Sequence, residues 1–327
     1  MSLQAALRAV RPLIRDSSAA LDGPSLERKG GLGGDMPNIA ACTPLESLGA
    51  RAVPEATSPL VSAFVDGVQR SRLLGHVGPA PIVFATVAAA VRERVNRQLR
   101  TWDAPRVTRL LLVSRARAGE AAWATLEASG APLVDTTDAV EPSALPLHPH
   151  ALRSRALDIV ALERERLERQ LATGWCAAHA SASDGWLWID GGIAGNLAID
   201  ADAPAFGVVK SHTTLYGDHD AVQAALSLRA GERSAAFLVG HRSRRAIASW
   251  YLRLRDAPAG DPLFGLVRVE VAPPADDAMA AFTARCDELS SGILLERAPV
   301  SLPDARWDTL SYGVYACEQY LQALIGA

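Results

Sequence analysis

Lysine is almost missing from this 327-residue chain: Lys29 and Lys210 stand alone beside 31 arginines. Cysteine is scarce too. Cys42, Cys176, Cys286 and Cys317 lie far apart, with no CxxC pair and no Cys/His zinc spacing. That pattern argues against a disulfide framework and against a structural zinc site. Long apolar runs are also lacking. The longest, Ile82 to Val91, is well short of the roughly 20 residues that span a bilayer. The N-terminal MSLQAALRAVRPLIRD alternates arginine with aliphatics and has no extended apolar core or cleavage site, so no secretion signal is expected. No Gly-Lys-Ser/Thr follows Lys29-Gly30-Gly31-Leu32-Gly33-Gly34, which excludes a P-loop and leaves a flexible connector. No internal repeat of about 20 to 50 residues is visible. The expectation is a soluble cytoplasmic protein with reduced thiols and no membrane partner.

What is present suits a folded α/β protein. Hydrophobic residues make up 49% and charged residues 21%, enough apolar material for a core and too much for a disordered chain. Lys+Arg 33 against Asp+Glu 36 gives net −3. A globally basic coat for nucleic acid is excluded, whereas a locally basic groove is not. Residues 1–60 read as a helical arm (2–20, with Leu3, Leu7, Val10, Leu13 and Ile14 at helical spacing) followed by loop. Its apolar stripe needs a cover, and a dimer surface could supply one. Residues 61–327 form the main domain, with a proline-rich insertion at about 130–150. Strands are predicted at 61–65, 68–77, 80–89, 109–113, 186–190, 206–210, 235–239, 249–254 and 266–271. Helices are predicted at 92–102, 151–171, from about 221, at 278–289 and at 312–325. A meander followed by alternating elements predicts an α/β fold, a mixed sheet flanked by helices.

Two Asp-Gly pairs, Asp66-Gly67 and Asp190-Gly191, each close an apolar run. Either could be a hairpin turn with glycine supplying positive φ. Their repetition suggests instead carboxylates gathered at strand ends, a site for a hard cation such as Mg²⁺ or Mn²⁺. On the helix at 151–171, Leu152, Ala156, Ile159, Val160, Leu167 and Leu171 share one face, and Glu163 falls inside it. Glu165 points the opposite way and Glu168 to the side, as on a solvated, salt-bridged surface. An inward carboxylate must be paired with an arginine, protonated or bound to metal. Asp66, Glu163 and Asp190 are therefore the candidate metal ligands and catalytic residues. Their order matches metal-dependent nucleases of RNase H-like fold, in which two divalent ions about 4 Å apart activate water and stabilise the leaving oxygen.

Lys210, just after a strand in GVVKSH, is either a cation near the scissile phosphate or a surface residue at a strand end. His212 has no assignable partner, and His219 belongs to a helix N-terminus. The segment with Arg242, Arg245, Trp250, Tyr251 and Arg253 is the most basic and carries aromatics. It offers phosphate contacts and base stacking, with an exposed face or strand edge as the plainer alternative. Arg70 and Arg72 follow Asp66 closely and could also meet phosphate.

In order, FVDGVQRSRL, the helix with Glu163, LWIDGG, GVVKSH, SWYLRLRD and FGLVRVEV resemble the NurA nuclease domain from about Val61 to the C-terminus. The resemblance implies an RNase H-like fold, Mn²⁺-dependent (or Mg²⁺-dependent) nuclease activity on DNA, a homodimer, and partnership with the hexameric ATPase HerA. It carries the family's first Asp onto Asp66, its helix Glu onto Glu163 and its second Asp onto Asp190. Its Lys falls on Lys210 and its Tyr-x-Arg strand on Tyr251 and Arg253. The family's closing Tyr-Pro segment and His are absent here. The chain reads Ser311-Tyr312-Gly313-Val314-Tyr315-Ala316-Cys317-Glu318. Glu318, or else Cys317, would stand where the His does, unless Glu318 is simply an exposed helical residue. Three expectations follow: a DNase working with a HerA-like motor in DNA end processing or anti-phage defence, a catalytically weak partner subunit of that motor, or an actin-like phosphotransferase.

Overall fold

The computed structural model describes residues 2–13, 37–96, 98–138, 147–179, 185–194, 199, 203–240, 246–256, 261–274, 278–297 and 308–326. In chain order the first elements are α1 (Leu3–Val10), β1 (Asn38–Ala40), β2 (Thr43–Pro44), β3 (Arg51–Ala52), β4 (Val61–Val77), β5 (Ala80–Val95) and β6 (Gln98–Val113). Next come α2 (Arg115–Ala118), α3 (Glu120–Glu127), β7 (Leu133–Asp135) and α4 (Pro149–Ala178). The remainder is β8 (Trp186–Asp190), β9 (Ala205–Val209), β10 (Thr214–Tyr216), α5 (His219–Leu226), β11 (Glu232–Arg233), β12 (Phe237–Val239), β13 (Ile247–Arg253), β14 (Leu266–Val271), α6 (Met279–Glu296) and α7 (Tyr312–Ile325).

Three long strands form an antiparallel meander, and two expectations fail within it. Asp66-Gly67 does not end a strand. Asp66 pairs with Ala90 and Gly67 with Ala89, and β4 runs on to Val77. Residues 92–102 are not helical either, since Arg92, Glu93 and Arg94 pair with Thr101, Arg100 and Leu99 across β5 and β6. The polar texture that suggested an exposed helix is a charged strand end with partners of its own. Arg94 donates two hydrogen bonds to Glu296, at 2.7 and 2.8 Å. Glu93 accepts one from Trp175 Nε1 at 3.2 Å.

From one edge the sheet reads β7-β6-β5-β4-β8-β9-β14-β13-β12-β2. β4 and β8 are parallel, as are β8 and β9, while β14 returns antiparallel to β9. Strand alternation sends successive side chains to opposite faces. Val65, Leu187 and Ile189 pack with Val160, Leu167 and Leu171 of α4 on one face. Phe64, Trp186 and Trp188 pack with Phe282, Leu289 and Ile293 of α6 on the other. That second face is also covered by α7, where Cys317 and Leu321 meet Val68, Ala88 and Ala90.

The arm is integrated with the rest of the fold. Ala6 and Val10 of α1 pack on Leu74, Ile82, Phe84 and Trp123, so the chain itself covers this part of the stripe. β1 pairs with β10, β2 with β12, and β3 with β11, where only loop was expected. The described residues form a mixed α/β fold with a large mixed sheet flanked by helices. No helix among them is long and apolar enough to cross a membrane.

Candidate active site

The site begins with Asp66, which is 6% exposed in the middle of β4. Its Oδ1 accepts the Gly67 N–H at 2.7 Å. Gly67 is not a turn residue. A Cβ there would collide with Glu168 Oε1 and the Arg164 side chain of α4. The missing side chain lets α4 settle on β4 and lower a carboxylate beside Asp66.

That carboxylate is Glu168, not Glu163. On α4, Leu152, Ala156, Val160, Arg164, Glu168, Ala172 and Cys176 recur every fourth residue, and all but Arg164 are buried. Each such step turns about 400°, so this ridge drifts by about 40° per step around the helix. A long helix over a twisted sheet follows such a drift. A fixed projection from the first turns therefore leaves Glu168 off the inner face, although it is only 9% exposed. Glu163 lies on the neighbouring ridge. Arg166 Nε and Nη2 hold it at 2.6 and 2.7 Å, and the Arg166 hydrogen bonds lower its pKa. The arginine pairing weighed for Glu163 is what the structure shows.

Asp190 ends β8, in register with Val208 of β9, and Lys210, just past β9, places Nζ 2.6 Å from Asp190 Oδ1. Burial pushes the Asp66 carboxyl well above its ordinary range. The Asp190 and Glu168 carboxylates push it further, against Lys210 and the Gly67 N–H. Glu168 is raised to about 7, chiefly by burial, with Arg164 opposing and Asp190 adding. Asp66, Glu168, Asp190 and Lys210 thus feel one another's charge, although they come from three strands or strand ends and one helix.

A cleft of about 320 Å³ opens beside this group, lined by Glu168, Asp190, Gly192, Arg268 and Glu270 among others. Glu270 is 2% exposed. Its Oε2 accepts the Ile193 N–H at 2.8 Å, and its Oε1 lies 2.7 Å from Arg268 Nη1. A Cβ on Gly192 would press on Glu270 at 2.9 Å. The Asp190-Gly191-Gly192 turn, with Gly191 at φ 138°, is therefore held from β14.

Three carboxylates are hard oxygen donors of the kind Mg²⁺ and Mn²⁺ prefer, and their mutual repulsion favours a cation among them. In the arrangement described, Lys210 engages Asp190 and Arg164 engages Glu168. Among the described residues no three His, Cys, Asp or Glu side chains are gathered closely enough to hold a metal ion.

The remaining sequence candidates divide. On α7 it is Cys317, not Glu318, that faces the site. Its Sγ lies 3.6 Å from Ala90 O, and burial, then Asp66, push its thiol well above the usual value. Glu318 is half-buried at the next helical position. Tyr251 and Arg253 are 1% and 0% exposed and cannot meet DNA. The Tyr251 hydroxyl accepts the Tyr216 N–H at 2.8 Å, and Arg253 donates to the carbonyls of Leu228, Leu226 and Pro262. β13 is an interior strand, so its alternation of large polar side chains serves the core. Arg70 is half-buried and Arg72 exposed on β4. Arg242 and Arg245 lie outside the described residues. His212 Nε2 lies 2.8 Å from Leu266 O. Asp218, next to His219, caps α5 by accepting the Ala221 N–H at 2.9 Å.

Glu168, Glu270, Arg268 and the facing of Cys317 escaped the sequence reading. The four-residue ridge on α4 was the available signal for Glu168, whereas no local signal marks Glu270. No family model matches this chain, and no curated protein matches its sequence.

Proposed function

We propose that the chain is a metal-dependent deoxyribonuclease of the NurA type on an RNase H-like sheet. It hydrolyses phosphodiester bonds as a homodimer working with a HerA-like hexameric ATPase in the cytoplasm, in DNA end processing or defence. The observation that carries this reading is the mutual electrostatic influence of buried Asp66 in mid-β4, Glu168 of α4 and Asp190 at the end of β8, with Lys210 ion-paired to Asp190. The strand order β6-β5-β4-β8-β9, with a crossover helix carrying the glutamate, supports the fold assignment. The ordered motifs from Val61 onward support the family assignment.

In this reading Asp66, Glu168 and Asp190 are the carboxylates that would hold Mn²⁺ or Mg²⁺, with Glu168 in the role first given to Glu163. Such ions would supply an activated water and charge stabilisation at the leaving oxygen. Lys210, paired with Asp190 in this structure, would offer its ammonium to a phosphate oxygen, where charge grows in the transition state. Glu270 keeps the turn after Asp190 closed, so the carboxylate stays aimed at its neighbours.

The deciding experiment is degradation of end-labelled linear DNA in Mn²⁺, Mg²⁺ or EDTA, with and without the cognate ATPase. Cleavage that needs the metal and disappears in Asp190→Ala is the expected result. A wild type inert in every condition overturns the nuclease reading. A second reading, a catalytically weak partner subunit, is favoured by one observation: the α7 residue facing Asp66 is a buried thiol, Cys317, rather than a histidine. It predicts ATPase binding without metal-dependent cleavage.

A further inference from the structure

We infer that a second, separate site on the protein grips a nucleic-acid backbone through Arg70, Arg72 and Arg109. The inference rests on the DNA-directed reading above but concerns residues outside the carboxylate cleft. Arg70 of β4 is in register with Thr86 of β5, and Thr86 with Arg109 of β6. The three side chains therefore stand in a row on one face of the sheet. Arg72 follows two residues along the same face, opposite Phe84. These residues line a cavity of about 360 Å³ together with Ser2, at the N-terminus of α1, and Ile325, at the end of α7.

Arg70 and Arg109 stand one strand apart, on either side of Thr86, so their like charges gather on one face without lying directly opposite each other. Arg70 donates to Gln322 Oε1 at 3.2 Å, which satisfies one guanidinium group but brings no negative charge. Among the described residues no carboxylate pairs with Arg70, Arg72 or Arg109, while elsewhere Arg94, Arg106, Arg115, Arg164, Arg166, Arg233 and Arg268 each have at least one. The chain as a whole carries net −3, so this local excess of positive charge runs against its surroundings. The backbone N–H groups at the α1 N-terminus add positive potential on the same wall. Guanidinium forks and hydroxyls at the mouth of a cavity whose walls also carry Phe84 and Ile325 suit phosphate oxygens. α7 packs on Val68, between Asp66 and Arg70. The cavity is thus a distinct contact, gripping backbone phosphates that lie outside the cleavage cleft.

The test is fluorescence anisotropy of a labelled single-stranded oligodeoxynucleotide in EDTA, over a range of salt. It uses the full chain as wild type, as Arg72→Ala/Arg109→Ala, and as Arg106→Ala, whose arginine is paired with Asp103. Arg72 and Arg109 are exposed, so melting temperatures should agree among the three. The expected result is binding weakened about tenfold in the double variant, with a salt slope lower by about one to two, and no change in Arg106→Ala. A wild type that binds while the double variant binds equally overturns this site and leaves the nuclease reading standing. A wild type that binds no DNA overturns both. Binding of inorganic pyrophosphate that depends on Arg72 and Arg109, without their contributing to oligonucleotide binding, overturns the backbone assignment in favour of a small phosphate anion.

Discussion

Gly67 and Glu168 occupy complementary space: the side chain that Gly67 lacks is the volume that the Glu168 carboxylate fills. A glycine in the middle of a long paired strand normally weakens it. Here it lets the helix approach, and the approach delivers a buried carboxylate to within the field of Asp66.

Gly67→Ala should therefore disturb the site more than its size suggests. The added methyl group must displace Glu168 or Arg164, at a cost of about 1–3 kcal/mol, typical of overpacking. Thermal unfolding and DNA cleavage together read the effect. A variant as stable and as active as the wild type would remove the basis for this packing.

Glu168→Gln and Glu163→Gln separate the two glutamates. Under the proposed function, Glu168→Gln should lower cleavage by about two orders of magnitude or more, the scale of losing one preorganised electrostatic group. Glu163→Gln loses an exposed pair with Arg166, of little energetic weight, and should retain most activity. Rates measured in Mn²⁺ for both purified variants decide between them, and the reverse ranking would return the site to Glu163.

Acid should weaken the fold through Glu46. Its side chain is 4% exposed and lies 2.7 Å from Arg233, which is fully buried. Burial alone would raise the Glu46 pKa. The Arg233 hydrogen bond and the Ala236 N–H overcome this and hold it down at about 2. A depressed carboxylate stabilises the folded state fully above its unfolded value near 4.5 and loses that contribution as pH falls toward 2. The contribution is on the order of 3 kcal/mol. Urea unfolding of wild type and Glu46→Gln at pH 7 and at pH 3 should show a gap that shrinks by more than half in acid. A gap that does not depend on pH would contradict the assignment.

Much of the fold was legible locally. Trp186–Asp190, Leu266–Val271 and Tyr312–Ile325 are the residues expected, because an apolar run or a helical stripe bounded by polar residues leaves few alternatives. Residues 92–102 were not legible, because the partners of their charged side chains, Glu296, Trp175 and His179, come from distant helices. Tyr251 and Arg253 resemble a nucleic-acid contact in one dimension. They are buried because β11, β12 and β14 flank their strand.

The sequence by itself determined the mixed α/β class, the two Asp-Gly pairs and Lys210 just after a strand; that Lys210 pairs with Asp190 was decided by the tertiary structure. Tertiary structure decided which glutamate joins them and which cysteine faces them. It also decided that Arg70, Thr86 and Arg109 stand side by side. The physical reason is that helical periodicity assigns a face only relative to its own axis. The surface against which α4 lies, and how far that surface rotates along its 30 residues, is set by strands far away in the chain.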